Sequence, residues 1–479
     1  MKISEILAGI KYTGSFTDSD VDYITDDDRD LRPGCIFVCC KGKHFDSHDN
    51  AAGALSSGAA LAVCERDMGL DNSVVVDDTR AVFSLMCANL YGNPQRRMKF
   101  IAVTGTNGKT TTTFMLHHIL EKNGHKTGLI GTVCNMAGDK VFDAALTTPK
   151  PFELYSLLSQ MALEGCEYCV MELSSQALEQ RRAVGLDLEV GIFSNLTQDH
   201  LDYHGTIENY AAAKAVMFAQ SEISVLNIDD PAYGIMAEKA KKYVTYSENG
   251  NADYRIENTV CSDSHIEYDL VHAGAYVHFR LNVAGAFNVY NSAAAAAALN
   301  EAGISLERSA AALEDFPGVK GRIELVPTDT SYRVFIDYAH SPDGLVNILT
   351  SLRKIARGRI ITVFGCGGDR DKTKRPKMGR IVADLSDVAV VTSDNPRTED
   401  PDAIIKDILE GINTDKPVIV NSDRTSAIRE AMNEAKPGDI VLLAGKGHET
   451  YQIRGTVKYH YDEREIVKGI LEGRNDAQA

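Results

Sequence analysis

Short runs of apolar and β-branched residues recur along the chain, among them Phe100-Ile101-Ala102-Val103, Ile360-Ile361-Thr362-Val363-Phe364 and Val388-Ala389-Val390-Val391. Each predicts a strand covered on both faces. Tyr332-Arg333-Val334-Phe335-Ile336 is a further strand-like run. Longer stretches of helical periodicity lie between these runs, which is the pattern of parallel sheets wrapped by helices. Residues 253–284 alternate more strictly and predict an antiparallel insert. The six alanines at 293–298 predict a closely packed helix.

Turn formers divide this pattern. Tyr91-Gly92-Asn93-Pro94 closes a helical stretch just ahead of the Phe100 strand, and Phe316-Pro317-Gly318-Val319-Lys320-Gly321-Arg322 precedes the Tyr332 strand. They predict three α/β domains, 1–97, 98–322 and 323–479. A chain of 479 residues is too long for one core. No internal repeat or low-complexity linker interrupts it.

Composition narrows the function. With 44% apolar and 24% charged residues the chain is a folded protein. A formal charge of −17 without a dense basic cluster excludes nucleic acid and anionic lipid as partners, so any phosphate ligand must be held by backbone amides and single cations. The ten cysteines lack the spacing of a disulfide scaffold and fit a reducing cytoplasm. Cys166 and Cys169 form one C-x-x-C in an apolar stretch, where buried thiols are expected rather than zinc or redox chemistry. Glu5 near the start, and the lack of any run of about 18 apolar residues, predict a chain neither exported nor membrane-spanning.

The strongest chemical signal follows the Phe100 strand. Thr104-Gly105-Thr106-Asn107-Gly108-Lys109-Thr110-Thr111 leads into the helical run Phe114-Met115-Leu116-His117-His118-Ile119-Leu120. Strand, glycine turn and helix start are what a polyphosphate seat requires. The glycines let successive amides and the helix N-terminus face the phosphates; Lys109 adds a charge and Thr110 a hydroxyl for magnesium. Val103 stands where a strict P-loop has glycine, which argues against a generic kinase or GTPase.

The run Gly105 to Thr111 resembles the ATP loop of the Mur ligases, ATP-dependent amide-forming enzymes of peptidoglycan synthesis. The resemblance continues in collinear order through Asn195-Leu196-Thr197-Gln198-Asp199-His200-Leu201-Asp202-Tyr203-His204-Gly205, Asp337-Tyr338-Ala339-His340-Ser341-Pro342-Asp343 and Gly365-Cys366-Gly367-Gly368-Asp369-Arg370. It implies an α/β protein of three domains: a central P-loop-type ATPase domain with a mostly parallel sheet, an N-terminal UDP-binding α/β domain and a C-terminal Rossmann-like α/β domain. It also implies a monomer that joins an amino acid to a UDP-muramoyl peptide through an acyl phosphate.

The resemblance assigns residues. Glu172, after an apolar strand pattern, could alone be a surface or capping residue; in the family its counterpart serves, with Thr110, the magnesium on the β and γ phosphates. His200 looks like a ligand of a second magnesium, and Lys214 matches a lysine that is carbamylated to a carboxylate-like ligand. Asn291 is placed near the adenine, with Arg322 and Asp337 completing the ATP site. For the UDP-muramoyl-L-alanyl-D-glutamate substrate the matches are Asp26, Asp28, Lys43, His44, Phe45, Thr147, Thr148, Ser174, Gln180 and Arg182. The planar fork of Arg182 suits a carboxylate or phosphate. Two positions depart from the family: Asp28 replaces a serine and Gln176 a histidine, so any proton transfer at 176 is lost.

Asp394-Asn395-Pro396-Arg397, with Arg370, Gly445 and Glu449, matches members that add meso-diaminopimelate. Arg397 can pair with the distal carboxylate that lysine lacks, Pro396 fixes the turn, and Glu449 suits the distal ammonium. The alternatives are a lysine-adding or folate-type polyglutamate ligase, or a nucleotide-binding regulatory homologue weakened in catalysis.

Overall fold

The computed structural model describes residues 1–42, 45–262 and 264–473. Three sheets follow one another along the chain. The first contains β1 (Thr13–Ser15), β2 (Ile24–Thr25), β3 (Ile36–Val38), β4 (Leu61–Cys64) and β5 (Ser73–Val75) in the order β1-β5-β4-β3-β2. Only β1 runs antiparallel to its neighbour.

The second sheet is centred on β6 (Lys99–Thr104), which lies between β10 (Tyr168–Glu172) and β11 (Leu188–Phe193), all parallel. Beyond β10 come β7 (Thr127–Ile130), then antiparallel β8 (Asn135–Ala137) and β9 (Lys140–Phe142). Beyond β11 lie β12 (Ser221–Asn227) and β13 (Tyr243–Ser247). The expected antiparallel insert is present as β14 (Tyr254–Cys261), β15 (Ile266–His272) and β16 (Ala275–Leu281). The alanine run lies in the helix Phe287–Glu301, where all six alanines are buried. Small side chains let that helix approach the helix Lys109–Lys122 closely enough for Asn291 to sit against Gly108.

The third sheet has the order β17 (Glu324–Val326), β18 (Arg333–Asp337), β22 (Ile440–Ala444), β19 (Ile360–Phe364), β20 (Val388–Val391) and β21 (Val418–Val420), parallel except for β17. A small hairpin of β23 (Tyr451–Arg454) and β24 (Val457–His460) follows. The runs read as strands covered on both faces are β6, β19 and β20, and the burial of 100–103, 360–364 and 388–391 bears that out. Cys166 and Cys169 are buried in the apolar core.

Parallel strands place all their following loops along one edge of the sheet, where ligands of open α/β sheets bind. In the second sheet Val103 is level with Glu172 and Thr104 with Phe193, so the segments starting at Gly105, Leu173 and Ser194 leave side by side. In the third sheet Asp337, Gly365, Thr392 and Gly445 begin or border the corresponding loops. Four separate motifs thereby reach one edge.

Candidate active site

The turn after β6 is shaped by two glycines with positive φ, 151° at Gly105 and 88° at Gly108. A β-carbon at Gly105 would strike Ser194 Oγ, and one at Gly108 would strike Asn291 Oδ1. Both glycines are therefore fixed by space as well as by torsion. The segment after β11 braces the turn: Thr106 N donates to Asn195 O at 2.8 Å, Asn107 N to Asn195 Oδ1 at 2.9 Å, and Ser194 Oγ to Asn107 O at 2.6 Å. No side chain caps the helix Lys109–Lys122, so its first amides are open to an anion. Lys109 Nζ folds back on Gly105 O and Thr106 O, each at 2.9 Å, and burial lowers its pKa. The turn can seat a polyphosphate.

Arg322 enters from the segment linking the second and third sheets and donates to Thr110 Oγ1 at 3.1 Å. Its guanidinium lies 4.6 Å from the Tyr338 ring centre. Asp337 uses both carboxylate oxygens on backbone amides, accepting from Ile323 N at 2.7 Å and Ala339 N at 2.8 Å, and so anchors the segment that carries Arg322. A cavity of about 510 Å³ opens beside Arg322, lined by Thr111, Asn282, Asn288, Phe316 and Lys320 among others. Asn291 is not in that wall: its amide is buried against Asn288 and the Gly108 turn. Asn288, three residues earlier, faces the cavity instead, a distinction of helix phase that the motif alone does not carry.

A second, tighter cavity of about 120 Å³ joins residues far apart in sequence. Lys109, Thr147, Thr148, Ser174, Gln176, Arg182, His200, Tyr210 and Lys214 all line it. Lys214 lies in the helix Ile207–Gln220, 1% exposed, and donates to Gly105 O at 2.8 Å. Burial first, then the charge of Lys109, holds its amine well below the ordinary lysine range. That environment favours a neutral, nucleophilic amine. Glu172 is fully buried at the end of β10, held by Thr132 N at 2.8 Å and Thr132 Oγ1 at 3.0 Å. Thr132 was not singled out from the sequence; its position opposite a strand-end carboxylate follows only from β7 pairing with β10.

Thr148, Ser174, Gln180 and Arg182 form one hydrogen-bonded group. Thr148 Oγ1 donates to Glu172 O at 2.7 Å and accepts from Ser174 N at 3.1 Å, while Ser174 Oγ caps the short helix Ser175–Glu179. Thr147 Oγ1 lies 3.0 Å from Thr132 Oγ1. The fork of Arg182 differs from expectation. Nε and Nη2 both donate to Gln180 Oε1, at 3.1 and 2.7 Å, and Nη1 to Thr148 O at 2.6 Å. Three of its five N–H groups thus orient protein oxygens.

The first sheet meets the second through Asp26, whose carboxylate pairs with Lys150 at 2.8 Å. Asp28 accepts from Asn50 Nδ2. Asp27 is held down to about 2 by Arg29. Phe45 is 54% exposed. Lys43 and His44 lie outside the described residues.

Between the second and third sheets is a cleft of about 970 Å³. One wall carries Gln176, Asp199 and His200; the other carries Tyr338, Arg370, Asp394, Asn395, Arg397, Gly445 and Glu449. Pro396 is buried behind them. Gln176 and His200 border both this cleft and the smaller cavity, which makes them the junction. Arg397 has φ 52°, donates Nη1 to Gly368 O at 2.7 Å, and is pinned through its backbone to Ile453 O and Gly455 N. Glu449 Oε2 takes Asn395 Nδ2 at 2.8 Å and the buried Lys446 Nζ at 3.1 Å. Burial raises the Glu449 pKa against the pull of Lys446. A guanidinium and a carboxylate therefore share one wall, a surface that can hold a ligand bearing both charges.

Residues 103–299 match the Mur ligase middle domain, and residues 321–447 match the Mur ligase glutamate ligase domain. The chain belongs to the Mur ligase family. This Mur ligase is 43% identical, over 98% of its length and 99% of the relative's, to a UDP-N-acetylmuramoyl-L-alanyl-D-glutamate–2,6-diaminopimelate ligase of Clostridium botulinum. It is 44% identical to the protein of that name from Geobacillus kaustophilus, over 94% of each chain. A solved structure of that ligase superposes with TM-score 0.69 at 31% identity, covering 99% of both chains. MurF from Acinetobacter baumannii shares the fold, with TM-score 0.63 at 20% identity over 98% of each chain.

Among the described residues of this Mur ligase no three His, Cys, Asp or Glu side chains cluster as a metal site. Magnesium commonly binds through one or two carboxylates, water and substrate phosphates rather than a full protein cage; Thr110 stands in the first turn of the helix Lys109–Lys122 and Glu172 at the end of β10. No helix of the described residues is long and apolar enough to cross a membrane.

Proposed function

We propose that the protein joins the amine of meso-diaminopimelate to the D-glutamate carboxylate of UDP-N-acetylmuramoyl-L-alanyl-D-glutamate, converting ATP to ADP and phosphate. The observation that carries this reading is the shared wall of Arg397 and Glu449 at the end of the cleft, which fits the carboxylate and ammonium at the distal end of diaminopimelate. The relatives bearing that ligase name support it.

The turn from Gly105 to Thr111 holds the triphosphate, Lys109 and Arg322 offset charge on its terminal group, and Thr147, Thr148, Ser174, Gln180 and Arg182 fix the muramoyl peptide. A glutamate carboxylate oxygen attacks the γ phosphorus and ADP leaves, since positioning and charge relief are the main demands of this transfer. The amine, having lost its proton, then attacks the acyl phosphate carbonyl and phosphate departs, leaving the amide. Magnesium, with Thr110 and Glu172 as donors for one ion and His200 and a carbamylated Lys214 for a second, would screen the phosphates. The buried, deprotonation-favouring position of Lys214 suits reaction with carbon dioxide. Arg370, Asp394, Asn395, Pro396 and Gly445 shape the amino-acid end, and Asn291 supports the nucleotide turn.

We place three domains at 1–97, 98–322 and 323–479, with the first binding the UDP end through Asp26, Asp28, Lys43, His44 and Phe45. The enzyme works as a monomer in the cytoplasm, where ATP is available. ADP release by the purified protein with UDP dipeptide tests the reading: turnover with diaminopimelate well above that with lysine is expected. Equal or greater turnover with lysine would overturn the amino-acid assignment, and tight ATP binding without ADP release would favour a regulatory homologue.

A further inference from the structure

Within itself the loop from 394 to 399 makes few hydrogen bonds, among them Glu399 N to Pro396 O at 3.1 Å and Asn395 N to Asp394 Oδ1 at 2.6 Å. It is latched to the loop from 365 to 371, which follows a different strand. Gly368 N donates to Asn395 O at 2.9 Å, Arg397 Nη1 to Gly368 O, and Thr398 Oγ1 to Asp369 Oδ1 at 2.7 Å. Asp369 N also donates to Glu399 Oε1 at 2.6 Å. A β-carbon on Gly368 would collide with Pro396 O, so the loops cross at closest approach. Asp369 and Arg397 both have left-handed backbones, φ 53° and 52°, which non-glycine residues adopt at some energetic cost. Asp369 is held by Thr398 and Glu399 of the facing loop, and Arg397 by Gly368 through its side chain and by Ile453 and Gly455 through its backbone.

Behind the crossing stands Arg375, 1% exposed on the helix Lys374–Leu385. Its Nη2 donates to Glu399 Oε1 at 2.8 Å and Nη1 to Glu399 Oε2 at 3.1 Å, a two-pronged pairing that fixes the carboxylate plane. Nη1 also reaches Asp407 Oδ2 at 2.8 Å. The pairing holds Glu399 ionised, down to about 2.

We propose that Arg375 and Glu399 are positioning residues that clamp the two crossing loops into one body and thereby aim Arg397 and Arg370 at the distal carboxylate of the amino-acid substrate. The inference rests on the diaminopimelate reading. It adds that discrimination is set by a buried clamp as well as by the arginine that touches the ligand. Recognition geometry of this kind is sensitive to displacements near 1 Å.

The test is a set of steady-state measurements on the full chain with ATP, UDP dipeptide and either diaminopimelate or lysine. Glu399→Gln is expected to raise the KM for diaminopimelate about ten-fold or more. The KM values for ATP and UDP dipeptide and the saturated kcat stay within about two-fold, and the preference over lysine shrinks. Thr398→Val, which removes one strand of the latch without uncovering a buried charge, should move the same constant in the same direction by a smaller factor, and serves if Glu399→Gln fails to fold. Asp407→Asn removes the second partner of Arg375 while leaving both of its bonds to Glu399, and is the stability control: a lower melting temperature with an unchanged KM for diaminopimelate is expected. A folded Glu399→Gln or Thr398→Val with wild-type KM and wild-type preference overturns the clamp alone. A wild-type enzyme that does not use diaminopimelate overturns the reaction and the clamp together.

Discussion

Arg322 Nη2 donates to Thr110 Oγ1 at 3.1 Å, a bond between residues 212 positions apart that ties the inter-sheet segment to the first turn of the phosphate helix. The guanidinium is steadied on the Tyr338 ring, and Asp337 anchors the backbone beside it. Arg322→Met should lower kcat/KM for ATP by about ten- to a hundred-fold, the size of one charge-assisted hydrogen bond. Steady-state ADP release measures it, and unchanged ATP kinetics would remove Arg322 from the nucleotide site.

Gly105→Ala should abolish nucleotide binding by calorimetry while leaving the fold intact. The methyl group would meet Ser194 Oγ, and the 151° torsion disfavours a side chain. The turn would have to open, and the amides facing the phosphates would lose their aim. Wild-type ATP affinity in this variant would argue against a phosphate seat here.

Arg397→Met should weaken diaminopimelate binding by roughly 2–5 kcal/mol, the loss of an arginine from a desolvated carboxylate. Lysine has no such carboxylate, so turnover with lysine should change little. The ratio of the two kcat/KM values is the measurement.

Burial raises the Glu449 pKa above its ordinary value. As pH falls through that raised pKa the carboxylate takes up a proton and stops accepting from an ammonium. The KM for diaminopimelate should therefore climb on the acid side at a pH above that of an exposed glutamate, about 4.3. Glu449→Gln should flatten this limb and leave a uniformly higher KM. An acid limb that survives the substitution would assign the titration elsewhere.

Lys214 gives a stability prediction with a definite sign. Its folded-state pKa lies below the ordinary 10.5, so between the two values the unfolded chain binds one more proton. In that window the lysine destabilises the fold, and the penalty fades as pH rises toward 10.5. In carbon-dioxide-free buffer Lys214→Met should be inactive yet at least as stable as wild type at pH 7, the gap closing at high pH. Denaturant melts across pH check it. Carbon-13 bicarbonate should give a carbamate signal in the wild type alone.

Much of the site was legible because its pieces are local. Strand, glycine turn and helix start occupy adjacent positions, and the strict alternation at 253–284 and the alanines at 293–298 state their own packing. The charged pair of Arg397 and Glu449 was readable from motifs. The partners that take three of the five N–H groups of Arg182 were not, because Gln180 is two residues away but its orientation comes from Tyr203, whose hydroxyl accepts from Gln180 Nε2 at 3.1 Å. The phase that turns Asn288 to the cavity and Asn291 to the Gly108 turn was hidden as well. Both lie on one helix and differ by less than a turn.

What the sequence determined by itself was the set of chemical groups and the edge of each sheet on which they would emerge, since backbone periodicity and turn residues act over a few positions. Only the tertiary structure decided which of those groups are neutral, paired or free. Lys214 would be an ordinary solvated cation on an isolated helix; it becomes a buried amine because Gly105 and Lys109, from the turn after β6, close over it. Charge state and hydrogen-bond partner depend on which other segments exclude water, and no local pattern of residues encodes that.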